Sequence, residues 1–158
     1  MMDVTDSALR EGLYAALAVR RWVEDVASRA PFENVAHLLA VAGAEATPLS
    51  RDEVDEAIAH HPRIGEKPVG AGVSQQMSRS EQGASTEFAD EIAAGNAAYE
   101  ERFGRVFIIR AAGRSRAEIL QELNRRLPLD DAIEIQIVGE QLRDIALLRL
   151  EKLYGGTP

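Results

Sequence analysis

An all-α fold is what the 158-residue chain predicts, on three observations. Apolar residues recur at helical spacing almost throughout; Pro31, Gly104 and Pro128 interrupt the stripes; and Ser-x-x-Glu patterns precede several of them. A hydrophobic fraction of 46% and a charged fraction of 28% are ordinary for a globular chain, and the length suits one domain with its own core. No internal repeat, low-complexity tract or interdomain linker stands out, so the expected architecture is a single-domain helical bundle over residues 1–158.

Leu9, Leu13 and Leu17 form the first stripe, and Trp22, Val23 and Val26 extend helical character until Pro31 stops it. Val35, Leu38, Leu39 and Ala42 make a short helix with Gly43 as its expected stop. Ser50-Arg51-Asp52-Glu53 reads as a capping box for a helix carrying Val54, Ala57 and Ile58 and ending at His60-His61-Pro62. Residues 65–77, rich in glycine, read as a loop. Phe88, Ile92, Tyr99 and Phe103 line the next helical face, closed by Gly104. Val106-Phe107-Ile108-Ile109 is ambiguous between a buried strand and a buried turn. Ser115 to Glu118 caps a helix with Ile119, Leu120, Leu123 and Leu127, stopped by Pro128, and a last helix runs from Asp130 or Asp131 to about Tyr154.

Composition excludes several classes of function. A net charge of −8 argues against a non-specific nucleic-acid binder, which needs a basic face for phosphates. The absence of cysteine removes disulfides, thiolate catalysis and Cys-type zinc sites. No apolar run reaches the roughly 18 residues of a membrane span. The first residues, Met1 to Asp6, are acidic and lack a hydrophobic signal core, and the C-terminus is not a peroxisomal tripeptide. The expected location is therefore cytoplasmic.

His61-Pro62-Arg63-Ile64-Gly65-Glu66-Lys67 is the densest local pattern in a chain with 3 histidines. His61 exchanges a proton near neutral pH, and Glu81, in Ser78-Arg79-Ser80-Glu81-Gln82, can hold or oppose a charge beside it. Each has a structural alternative. His61 can cap the carbonyls of the helix before it, and Glu81 can close a capping box with Ser78. His37 reads as structural. His60 and His61 point about 100° apart at helical spacing, and no H-x-H or H-x-x-x-H exists, so no metal is expected. Arg149 falls on the apolar stripe of Ile135, Val138, Leu142, Ile145 and Leu153. It must snorkel, pair with a buried carboxylate, or face a cavity that takes an anion.

With these residues assembled, the chain resembles the 2-oxo-4-hydroxy-4-carboxy-5-ureidoimidazoline (OHCU) decarboxylases of urate breakdown, along nearly its whole length. The elements are Arg21-Trp22-Val23-Glu24, Ala30-Pro31-Phe32, His61 to Lys67, Ser80-Glu81-Gln82 with Gly83, Asn96 and Tyr99, Phe103 to Phe107, Gly113-Arg114-Ser115 through Leu120, and Leu148-Arg149-Leu150. The resemblance implies an all-α, cofactor-free carboxy-lyase, usually a homodimer, whose product is (S)-allantoin. It implies His61 as catalytic acid/base with Pro62 beside the substrate, and polar contacts from Ser78, Glu81 and Gln82. It implies a ring wall with backbone hydrogen bonds from Phe107, Ile108, Ile109, Arg110 and Ala111, and a substrate-gripping Arg149. The chain departs from the family at its short N-terminus, at Met77, where tryptophan is common, and at Arg110, where a small or apolar residue is usual. Two other readings stay open: a drifted ureido-acid substrate, and a non-catalytic helical adaptor.

Overall fold

The computed structural model describes residues 2–59 and 88–155, which hold seven helices. They are α1 (Asp6–Ala16), α2 (Arg20–Ala27), α3 (Val35–Glu45), α4 (Arg51–Ile58), α5 (Ala89–Phe103), α6 (Arg116–Arg126) and α7 (Asp131–Tyr154). No strand occurs among the described residues, as the apolar spacing predicts. The chain divides into two compact units, residues 1–57 with 139–158, and residues 58–138.

In the first unit, α1 packs on α2 and α2 on α3. Thr5 caps α1 by accepting from the Ala8 amide. The first stripe does not run on into the second: Leu17 and Val19 are extended, and α2 begins only at Arg20. α2 ends at Ala27, ahead of Pro31, because Arg29 and Ala30 donate three residues back, to Val26 and Ala27, and tighten the chain. Gly43 does not stop α3. A glycine stop requires the left-handed conformation, and among the described glycines only Gly104 and Gly113 have positive φ. α3 instead runs to Glu45, where the Thr47 hydroxyl donates to the Gly43 carbonyl at 2.8 Å.

Trp22 is fully buried and donates from Nε1 to the Ala42 carbonyl at 2.9 Å, joining α2 to α3. The Ser50–Glu53 capping box forms in both directions. The Glu53 carboxylate also receives Arg21, at 2.6 and 3.2 Å, while Arg21 donates to the Glu45 carbonyl at 2.8 Å. One arginine thus ties α2 to the end of α3 and the start of α4. The hydrogen bond from Arg21 is the main reason the Glu53 carboxyl titrates below its ordinary range.

In the second unit, α5 packs on α6 around Ile92, Tyr99, Phe107, Ile109, Ala111, Ile119 and Leu123. Phe88 does not join this face. It precedes the helix in the left-handed region, with φ 59°, and is 41% exposed. Gly104 ends α5 at φ 72° with its amide on the Glu100 carbonyl, the left-handed stop its sequence position predicts. Ser115 and Glu118 form the expected capping box of α6. The apolar run at 106–109 forms neither strand nor turn.

Candidate active site

The segment from Phe107 to Ala111, apart from Arg110, is buried. With no sheet neighbour, its polar backbone must be satisfied by other groups. Arg126 donates from Nη1 to the Ile108 carbonyl at 2.8 Å. Arg114 donates from Nε to the Arg110 carbonyl at 2.9 Å and from its amide to the Ala111 carbonyl at 3.1 Å. Gly113, at φ 80°, stands third in that Ala111–Arg114 turn, where a type II turn calls for glycine.

Arg126 is itself fully buried, and so is its partner Glu134. Nε of Arg126 reaches both carboxylate oxygens, at 2.9 and 3.1 Å, and Nη2 adds a third bond. The Tyr99 hydroxyl, also buried, donates to the same carboxylate. Burial first, and the bond to Glu134 second, push the Tyr99 phenol far above its ordinary value, so it stays a neutral donor. The Phe107 ring packs between these groups, with the Arg126 guanidinium 4.6 Å from its centroid and the Tyr99 ring 5.2 Å away at 70°.

Sequence reading passed over Arg126 and Glu134, although the signal was present. Arg126 stands at the seventh position after Ile119 and the third after Leu123, on the buried face of α6. Glu134 precedes Val138 by one helical turn, on the buried face of α7. Each is a charge on an apolar stripe, the anomaly that drew notice at Arg149.

Arg149 is 2% exposed, so it does not snorkel. Its Nη1 donates to the Ala15 carbonyl at 3.3 Å, in the last turn of α1, where a cation offsets the negative end of the helix dipole. Its expected stripe holds at Val138, Leu142 and Ile145, which are buried, and fails at Leu153, which is 36% exposed. Arg110 is half-buried, with Nη1 3.9 Å from where a side chain would begin on Gly113. His37 has the structural setting expected of it. Nδ1 accepts from the Glu33 amide at 3.2 Å, and the ring meets Phe32 edge-on.

His61, Pro62, Met77, Ser78, Glu81 and Gln82 lie outside the described residues. Among the described residues, no group of His, Asp and Glu side chains is placed to hold a metal ion, and no helix is long and apolar enough to cross a membrane.

Comparison with known proteins gives a consistent result. The family model described as OHCU decarboxylase matches residues 3–151. The uric acid degradation bifunctional protein TTL of Arabidopsis thaliana is 36% identical over 106 residues, a match covering 63% of this chain and 33% of that protein. The chain therefore spans about a third of the length of that curated relative. A crystal structure of OHCU decarboxylase in the presence of (S)-allantoin superposes with a TM-score of 0.76 at 23% identity, covering 92% of this chain and 99% of that one. A crystal structure of (S)-allantoin synthase gives a TM-score of 0.65 at 18% identity, covering 94% of this chain and 50% of that one. At these identities the two structures speak for the fold.

Proposed function

The chain belongs to the OHCU decarboxylase family, and on that premise we propose that it decarboxylates 2-oxo-4-hydroxy-4-carboxy-5-ureidoimidazoline to (S)-allantoin without a cofactor. The observation that carries the reading is the extent of the family match, residues 3–151, which includes His61, Glu81, the 107–111 segment and Arg149.

The chemistry asks for little beyond orientation and a proton. As the carboxylate leaves as CO2, its bonding pair forms a double bond to the ureido-bearing carbon, and the adjacent ring C=N takes electrons onto nitrogen. Protonation of that ring nitrogen and of the ureido-bearing carbon, with loss of the hydroxyl proton, then gives the ring carbonyl of allantoin. The ring is its own electron sink. The protein must fix the substrate, balance its charge and deliver the proton to one face.

In this reading His61 transfers the proton, with Pro62 against the substrate. Ser78, Glu81 and Gln82 make polar contacts to the substrate, and Glu81 orients either its ureido group or the imidazole. Phe107 to Ala111 wall the ring, and Arg149 binds the anionic carboxylate through paired donors. Burial of Arg149 supports its part, since a guanidinium held out of water binds a carboxylate more strongly than one at the surface.

The test is decarboxylation of freshly generated OHCU followed by circular dichroism, with wild type and His61→Ala side by side. Rapid formation of (S)-allantoin by wild type, reduced about a hundredfold or more in a folded His61→Ala protein, is expected if general acid/base transfer dominates. A folded wild type that only matches the spontaneous racemic background overturns the proposal.

A further inference from the structure

We propose that the buried Arg126–Glu134 pair is a positioning device that aims the backbone of the 107–111 segment at the substrate ring. This rests on the decarboxylase reading above, in which that segment is the ring wall.

Because a peptide is planar and trans, fixing the carbonyl of one residue fixes the N–H of the next in the opposite direction. The 2.8 Å bond from Arg126 to the Ile108 carbonyl therefore sets the direction of the Ile109 N–H. The two bonds from Arg114 do the same for the Ala111 and Ala112 amides. Of these anchors, only Arg126 comes from outside the segment and its turn. It is also the most constrained, with Nε and Nη2 held by Glu134, Glu134 held by Tyr99, and the guanidinium face resting on Phe107.

A neutral donor would suffice to satisfy one buried carbonyl. An ion pair without exposed surface carries a desolvation penalty, and well-packed apolar residues of similar volume are often as stable. What the pair adds is direction. The planar fork spans Glu134 and Ile108 at once, a geometry an ammonium cannot copy. The Ile109 N–H so oriented suits a carbonyl-type acceptor on the ring, and the 2-oxo group of the proposed substrate is one. Arg126 and Glu134 are thus positioning residues that act through the backbone.

The experiment compares wild type, Arg126→Lys and the triple variant Tyr99→Phe/Arg126→Met/Glu134→Leu. It reads kcat and KM for OHCU decarboxylation, and hydrogen exchange at the Ile109 amide. Arg126→Lys keeps the charge and loses the fork. The triple variant replaces the whole polar cluster with apolar groups and supplies the comparison if Arg126→Lys does not fold. Misplacing a bound ring by a fraction of an ångström is expected to raise KM or lower kcat about tenfold or more, with faster exchange at Ile109. Unchanged kcat and KM in a folded variant overturn the proposal, whatever the exchange rate. An inactive wild type overturns the decarboxylase reading by itself. Exchange at Ile109 then decides the positioning role, and equal rates in wild type and variant overturn that too.

Discussion

Glu134 accepts Nε of Arg126 on both carboxylate oxygens, at 2.9 and 3.1 Å, and neither side chain has exposed surface. Removing one member strands the other charge away from water, which typically costs about 3–5 kcal/mol, whereas removing both with apolar residues is often neutral. Glu134→Leu alone is therefore expected to be more destabilising than Arg126→Met/Glu134→Leu. Urea unfolding of the single and double variants measures the difference. A double variant less stable than the single one would contradict the account.

Tyr99 supplies a pH dependence of known sign. Its ordinary value is 10.0, and burial, followed by the bond to Glu134, raises it in the folded state. A raised folded value means that the contribution is complete below the unfolded value and is lost as pH climbs through the folded one. Thermal stability should thus fall above about pH 10, and the fall should be shallower in Tyr99→Phe. Parallel melting curves at alkaline pH for the two proteins would show that Tyr99 carries none of it.

Two glycines of the second unit separate crowding from backbone strain. A Cβ on Gly95 would lie 2.3 Å from Cδ2 and 3.0 Å from Cγ of Leu123, where α5 meets α6. Gly95→Ala is expected to cost about 1–3 kcal/mol through overpacking. At Gly104 nothing lies within 4 Å, yet φ is +72°. Gly104→Ala should cost about 1–2 kcal/mol from left-handed strain alone. Adding Leu123→Ala tells them apart in denaturant unfolding. It should relieve most of the Gly95→Ala penalty and leave that of Gly104→Ala in place.

Most of the fold was legible because local signals agreed with packing. The caps at Ser50 and Ser115 and the glycine stop at Gly104 all satisfy orphan backbone groups with residues close in sequence. Expectations failed where the deciding contact was distant or conformational. Gly43 resembles a stop only if its backbone turns left-handed, and Phe88 fits the α5 stripe only if the helix has already begun. The candidate site was legible in a different way. His61 and Glu81 were singled out by chemistry and by family resemblance, and they lie outside the described residues. Arg126 and Glu134 escape a reading that follows apolar residues at helical spacing, because each is a charge on a buried helix face. Their pairing links α6 to α7 across a proline-containing connection, so no spacing rule joins them.

Arg149 combines a structural contact with a proposed catalytic one, and the two respond differently to substitution. Its bond to the Ala15 carbonyl needs one N–H donor, which a lysine can supply. Gripping a carboxylate by two parallel bonds needs the planar fork, which lysine lacks. Arg149→Lys should therefore keep much of the stability of wild type while raising KM for OHCU about tenfold or more, the scale of one lost charge-assisted hydrogen bond at roughly 1.5–3 kcal/mol. Arg149→Ala should lose both contacts, lowering the melting temperature as well as kcat/KM. Melting curves and steady-state kinetics on the same preparations separate the roles. A stable Arg149→Lys with unchanged kcat/KM would leave Arg149 as the cap of α1 and take it out of the substrate site.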